Sequence, residues 1–142
     1  MAKNATFANN LLKLIFNAVG MANLADNTAT APATNLYISL HTADPTSAGN
    51  QASNECNYTG YNRIAVVRSS SGWVVSGENV SPAATISFPA CTGGANTAAY
   101  WGVGLSASGA GALLYSGTVT PNISVASGVT PQLTTASTIN ES

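Results

Sequence analysis

The sequence predicts a mainly β protein: a jelly-roll-like antiparallel β-sandwich of about seven or eight short strands, preceded by one N-terminal α-helix. Helical periodicity is confined to the N-terminus, and short apolar runs separated by Gly-, Pro- and Ser-rich turns fill the rest of the 142 residues. No helical pattern is interleaved among those runs, which disfavours a parallel α/β sheet. We expect a helical arm and linker at 1–30 and a sandwich domain at 31–142.

The segment 4–25 is predicted to be helical, with Gly20 ending its strong part. Apolar residues recur at helical spacing and extend beyond a single stripe, so the helix needs contacts on more than one side. Two hypotheses remain open: the helix packs on its own sandwich, or it is an arm that contacts other subunits. The second makes its large apolar side chains candidate partner-binding residues, namely Phe7, Leu11, Leu12, Leu14, Ile15, Phe16 and Val19.

The strands are predicted from residue 36 onward. Alternation of Leu, Ile and Leu with polar or aromatic residues at 36–41 indicates a half-buried strand, which a corner at Asp44 and Pro45 ends before a polar loop at 46–57. Further strands are expected at 64–67, 73–75, 84–88, 97–105 and 112–119, with short ones near 123–125, 129, 133 and 139. The turn at 69–72 predicts a hairpin between 64–67 and 73–75. Gly102 and Gly104 predict a bulge or a close backbone contact.

The charge content limits the classes of partner. Only 6% of residues are charged, against roughly 25% in an average soluble protein. Nucleic-acid binding and anchoring to an anionic membrane surface both use clustered Lys and Arg, and four scattered cations do not supply such clusters. We therefore expect neither partner. A nearly neutral surface repels neighbouring copies little and favours a protein that lives in an assembly.

No catalytic, metal or cofactor site is predicted. His41 is the only histidine and is interpreted as a structural strand residue, and Asp44 is expected to bond to backbone amides of its own loop. Cys56 and Cys91 are expected to be unpaired thiols. One His and two distant Cys cannot complete a four-ligand zinc site. One of the two arginines at 63 and 68 is expected to pair with Glu55 or Glu78.

Several sequence blocks carry a resemblance to a known family. They are LYISLHTADP at 36–45, NE at 54–55, YTGYNR at 58–63, ISFPA at 86–90 and GALLYSG at 111–117. In this order they resemble small virion proteins of tailed bacteriophages and prophages, which are usually labelled tail-fibre or minor structural proteins. The similarity runs from about residue 35 to the C-terminus. It implies a non-enzymatic structural protein of the phage particle and carries over no catalytic residues.

Within that resemblance, the compact size and the absence of repeats or heptads favour a capsid decoration or cement protein on the outer surface of the virion. Its expected partners are the major capsid protein and other copies of itself, with a trimer preferred. Tyr58 and Tyr61 join the candidate partner-binding residues. A tail-fibre or adaptor module bound to tail proteins is the first alternative. A carbohydrate-binding module is the second, in which Tyr37, Tyr58, Tyr61, Tyr100 and Trp101 would stack on sugars.

Overall fold

The computed structural model describes residues 5–20 and 32–141. One helix precedes nine strands in this part of the chain. They are α1 (Ala5–Phe16), β1 (Asn35–His41), β2 (Ile64–Val67), β3 (Trp73–Ser76), β4 (Asn79–Pro82), β5 (Ile86–Ser87), β6 (Asn96–Gly104), β7 (Leu113–Val125), β8 (Gln132–Leu133) and β9 (Ile139–Asn140). The predicted fold class, mainly antiparallel β with one N-terminal helix, is confirmed.

The chain divides into two compact units. One comprises the residues up to Asn35, Val67–Thr85 and the residues from Leu133 onward, and the other comprises Leu36–Val66 and Ile86–Gln132. The first unit therefore contains α1, β3, β4 and β9, and the second contains most of the remaining strands. The domain boundary predicted between residues 30 and 31 lies outside the described residues, and the predicted division stays a prediction.

A four-stranded sheet with the order β2-β1-β6-β7 forms the centre of the second unit. β6 pairs antiparallel with β1 on one side and with β7 on the other. The β6–β7 register shifts between Ala98 and Tyr100 and again between Val103 and Gly104, which confirms the irregularity predicted at the glycines. β7 extends for thirteen residues through Pro121, although the sequence predicted a strand ending there. Pro121 lies between Thr118 and Ile123, where the pairing with β6 is irregular, so its missing N–H interrupts no regular part of the ladder.

β1 is more deeply buried than predicted. Leu36, Ile38 and Leu40 are buried as their alternation requires, but Ser39 and His41 on the opposite face have no exposed surface either. Loop residues cover that second face, since the backbone of Thr42 bonds to Asn54 and a bridge joins His41 to Glu55. The strand is thus an interior strand whose polar face is satisfied by side-chain and loop contacts.

The other unit joins α1 to a three-stranded sheet of order β3-β4-β9. The helix packs on β3 and β4. The rings of Phe16 and Trp73 meet edge to face with centroids 4.7 Å apart, and both side chains are fully buried. The predicted hairpin between 64–67 and 73–75 is wrong, because β3 pairs with β4 instead. Gly77, with φ of 60°, forms the tight turn between them.

The helix is also shorter than predicted. It ends at Phe16, and Ala18 adopts a left-handed conformation with φ of 56°. The amide of Val19 then bonds back to the Lys13 carbonyl at 3.1 Å, and the same carbonyl accepts the Asn17 amide at 3.0 Å, so the chain turns back over the last turn of the helix. The helix therefore stops four residues before Gly20. The predicted continuation at 21–25 lies outside the described residues.

Candidate interaction surfaces

The candidate partner-binding residues of α1 divide by exposure. Leu12 and Phe16 are fully buried within the chain itself. Leu11, Leu14 and Ile15 are half-buried, and Val19 is 50% exposed. For Phe7 the structure describes only the backbone. Of the two hypotheses for this helix, packing on its own β-structure accounts for the most buried residues. Contact with a partner stays a prediction, and it can use the partly exposed side chains.

Arg68 holds the C-terminal end of α1. Its guanidinium donates from Nε to the Ile15 carbonyl at 2.6 Å, from Nη2 to the Leu14 carbonyl at 2.5 Å and from Nη1 to the Ala33 carbonyl at 3.1 Å. The Leu14 and Ile15 carbonyls belong to the last turn of the helix, and a cation beside them opposes the negative end of the helix dipole. The sequence predicted an ion pair for one of the two arginines, and in Arg68 the observed partners are backbone oxygens instead.

Tyr58 and Tyr61, also predicted to contact a partner, bond within the chain. The Tyr58 hydroxyl donates to the Pro89 carbonyl at 2.8 Å, and the side chain is buried. The Tyr61 hydroxyl donates to Glu55 Oε1 at 2.8 Å and accepts the Leu40 amide at 3.1 Å. Burial raises the pKa of Tyr58 to about 12 and raises the pKa of Tyr61 further. Both phenols thus act as neutral structural groups, and their contact with a partner stays a prediction.

Glu55 and Arg63 form the predicted arginine–glutamate pair. Arg63 Nε lies 2.7 Å from Glu55 Oε1, and Nη2 lies 2.8 Å from Oε2. The remaining guanidinium donors reach the carbonyls of Ser106 at 2.9 Å and Gly109 at 2.6 Å. Hydrogen bonding to Glu55 is the main reason that the pKa of Arg63 is raised. The pair fixes the loop between β6 and β7 to the segment that precedes β2.

Gln51 secures the same loop, and the sequence analysis did not identify it. Its amide lies along the Ser106 backbone: Nε2 donates to the carbonyl at 3.2 Å, and Oε1 accepts the amide at 2.9 Å. Gly104 and Gly111 make room for it, since a Cβ on Gly104 would lie 2.1 Å from Gln51 Cδ and one on Gly111 would lie 2.5 Å from Gln51 Oε1. Gly104 and Gly111 were the signal in the sequence, but glycines alone do not show which side chain packs against them.

The polar loop at 46–57 has a fixed backbone. Asp44 Oδ1 accepts the Thr46 amide at 2.8 Å, which confirms the turn-capping role predicted for this carboxylate. Asn54 Nδ2 donates to the Asp44 carbonyl at 3.2 Å, and Gln51 and Cys56 anchor the loop in the interior. The exposed positions include 46–48, 52, 54 and 57. The loop therefore presents a small, ordered and nearly uncharged surface.

Ser39 and His41 form a buried serine–histidine pair. Ser39 Oγ lies 2.8 Å from His41 Nε2, and His41 Nδ1 lies 2.8 Å from the Ser53 carbonyl. Because a carbonyl only accepts, Nδ1 carries the proton and Nε2 accepts the serine hydroxyl. Desolvation lowers the pKa of His41 below its usual 6.5, although the bond to Ser53 opposes the shift. A nucleophilic serine needs this contact and access to substrate. Both side chains have no exposed surface, so the geometry supports a structural role.

The two cysteines are free thiols in the structure, as predicted, and both are buried. Burial raises the pKa of Cys56 to about 11, so its reactive thiolate form is scarce at neutral pH. Across residues 5–20 and 32–141, no group of three or more His, Cys, Asp or Glu side chains is placed to hold a metal ion. No helix within the same residues is long and apolar enough to cross a membrane.

Comparison with protein families identifies the family of the chain. The family model described as podophage GP4 fiber I protein gp80 matches residues 4–140. The chain belongs to this family. Membership makes it a structural protein of the phage particle, of the fibre type, in agreement with the resemblance seen in the sequence. A search of curated proteins gave no match.

Proposed function

We propose that the chain is a non-enzymatic structural subunit of a phage tail fibre. The observation that carries the proposal is the family match over residues 4–140, because the matched family is described as a fibre protein. The charged and titratable side chains of the interior also support the proposal, because they bond to groups of the same chain. Arg63 and Glu55 bond to each other, and His41 is buried in contact with Ser39. Such groups stabilise a module and leave its surface to small uncharged residues.

The partners of such a subunit are other copies of itself and neighbouring tail proteins. The half-buried and exposed positions on α1, Leu11, Leu14, Ile15 and Val19, are the apolar side chains that a neighbour can cover further. Because the chain carries little charge, closely packed copies repel each other little. A trimer, preferred from the sequence, is an untested expectation for this assembly.

Capsid decoration is the second candidate, and one observation favours it. The only helix in the described residues is twelve residues long, and the strands form no repeating unit, so this part of the chain does not resemble a fibre shaft. In that function the chain would bind the major capsid protein on the outside of the particle. We prefer the fibre because the family description names it, and a compact fibre subunit needs no shaft of its own.

Carbohydrate binding draws less support from the structure. Trp101 is 5% exposed and Tyr58 is 3% exposed, so neither offers its ring to a sugar. Tyr37, Tyr61 and Tyr100 are half-buried. A stacking platform needs open aromatic faces, and the two most buried rings of the predicted set instead belong to the core.

Electron cryomicroscopy of the phage particle tests the proposed position. Particles that carry the chain are compared with particles made without its gene and with particles complemented by it. We expect difference density at the tail that returns on complementation. Difference density on the shell between capsomers would overturn the fibre proposal in favour of decoration. Identical maps with and without the gene would contradict both.

A further inference from the structure

The exposed large apolar side chains of the second unit lie on one hairpin. Five such side chains are exposed across the described residues, and the two in this unit are Leu105, 45% exposed, and Leu114, 37% exposed. Leu105 directly follows β6, and its amide bonds to the Ala112 carbonyl at 3.2 Å. Leu114 is the second residue of β7. The two leucines therefore lie on the two sides of the loop at 106–111.

Leu114 lies at a β-bulge of this hairpin. Val103 of β6 pairs with Tyr115. The next pair joins Gly104 to Leu113, so Leu114 is the extra residue of β7 between the two pairs. A bulge bends its strand locally and re-aims a side chain. The backbone register itself therefore takes Leu114 out of the regular alternation of the strand, and its exposure is a built feature of the hairpin.

The loop between the leucines is exposed, yet its backbone is held from the protein interior. Arg63 donates to the carbonyls of Ser106 and Gly109. Gln51 bonds to both backbone groups of Ser106 through its side chain and to the Gly111 carbonyl through its amide. The loop itself has no side chain larger than serine to bury. Two buried polar side chains therefore fix its shape and leave it open to a partner.

The hairpin has no charge with which to recognise a charged partner. No Lys, Arg, Asp or Glu occurs at residues 79–140, and the Arg63 side chain that holds the loop is 2% exposed and paired with Glu55. A charged group of a partner would lose its water at this surface without gaining a counter-charge. Anionic lipid and nucleic acid need exposed cations, and sugar stacking needs exposed aromatic rings, whereas the hairpin exposes leucines. It therefore suits an apolar and uncharged protein surface.

We propose that the β6–β7 hairpin is a docking element that inserts Leu105 and Leu114 into an apolar, uncharged groove of a neighbouring tail protein other than the chain itself. Exposed leucines leave water in such a groove, and the fixed loop loses little conformational entropy on binding. A second copy offers a poorer receptor. The other exposed large apolar side chains of the described residues are three valines, at 19, 67 and 74, which are 45–51% exposed and so project from the surface rather than line a groove.

This docking role rests on the proposed function, because the partner is expected in the tail. Phage that lacks the gene is grown in cells that supply the wild-type chain, L105T/L114T or the control V67T/V74T, which changes two exposed valines in the same way. The chain in purified particles is quantified by mass spectrometry against the major capsid protein. We expect V67T/V74T to be incorporated like the wild-type chain and L105T/L114T to be incorporated at least about tenfold less, because burial of the two leucines supplies much of the affinity.

The outcomes of this experiment separate the docking role from the proposed function. Absence of the wild-type chain from the particles would overturn the proposed function. Incorporation of L105T/L114T at the wild-type level, or an equal loss in both variants, would overturn the docking element. Circular dichroism of the purified chains is expected to show that both variants are folded.

Photo-cross-linking tests the same contact with both leucines in place. A photoreactive amino acid replaces Ser108 in the loop or, as a control, the exposed Ser127 outside the strands. The particles are irradiated and digested, and cross-linked peptides are identified by mass spectrometry. We expect position 108 to link to one other tail protein at several times the yield of position 127. Links only to copies of the chain or to the capsid, equal yields at the two positions, or no links at all would overturn the inference.

Discussion

Glu55 and Arg63 form a bidentate ion pair in which the arginine is almost completely removed from water. The side chain of Arg63 is 2% exposed and that of Glu55 is 16% exposed. The Tyr61 hydroxyl adds a further bond to Glu55 Oε1. A buried pair of this kind is held in place by the cost of separating it, because either partner alone would be a charge without compensation.

Replacing Arg63 with Met is therefore expected to destabilise the protein severely. It leaves the Glu55 carboxylate without its cation and removes the Arg63 donors from the Ser106 and Gly109 carbonyls, and breaking a buried pair costs roughly 3–5 kcal/mol. Urea unfolding followed by tryptophan fluorescence measures this loss. The control D44N removes the charge of an exposed acid whose oxygen still accepts a bond, and it should change stability little. A loss below about 1 kcal/mol for R63M would place this pair with weak surface ion pairs.

A double variant of Glu55 and Arg63 tests whether the two side chains depend on each other. In the double variant E55L/R63M both charged groups are absent, so no uncompensated ion remains. We expect it to be more stable than the single variant R63M, with strongly non-additive effects. If the double variant loses the sum of both single changes, the two side chains act independently and the network is not a unit.

Arg68 is expected to control the docking of α1. The variant R68L removes three donors from backbone carbonyls, and hydrogen bonds from a charged donor contribute about 1.5–3 kcal/mol where they are well shielded. We expect a loss of about 2–3 kcal/mol in unfolding free energy and faster amide exchange confined to α1. The control K13A removes the cation in the last turn of the helix, with an expected cost below about 1 kcal/mol. Equal effects of the two variants would contradict the capping role.

Two glycines of the central sheet should differ in how well they tolerate alanine. A Cβ at Gly104 would overlap the Gln51 side chain, whereas one at Gly117 would stand 3.5 Å from Trp101 Nε1, at ordinary contact distance. We expect G104A to cost several kcal/mol because Gln51 must leave the Ser106 backbone, and G117A to stay within about 1 kcal/mol. Thermal unfolding of both variants provides the comparison. A tolerated G104A would show that Gln51 can move at little cost.

Features set by local chemistry could be predicted from the sequence. The alternation in β1, the turn at Asp44 and the backbone irregularity at Gly102 and Gly104 follow from rules that act over a few residues. The charge pairing of Arg63 could be anticipated because few partners exist in a chain with so few charges.

Features set by distant contacts could not be predicted in the same way. β4 has a single large apolar residue, Val80, so its pairing with β3 leaves little trace in the pattern. The helix stops at Phe16 with Ala18 in a left-handed conformation, which alanine does not signal. An apolar helix face also has the same sequence pattern whether it covers Trp73 of its own chain or a neighbouring subunit. Burial of Leu12 and Phe16 distinguishes these cases only once the partner sheet is known.

His41 is expected to make the protein less stable as the pH falls below about 6.5. Burial lowers the pKa of the folded imidazole, so the unfolded chain takes up the proton first and unfolding is favoured from the unfolded pKa of 6.5 down to the folded pKa. The slope can reach about 1.4 kcal/mol per pH unit. Urea unfolding is measured between pH 7.5 and 5.5, which is about one pH unit on either side of the ordinary histidine pKa. Because His41 is the only histidine, this range isolates its effect on stability. The variant H41Q should lose the slope, and an unchanged slope would assign the pH dependence to other groups.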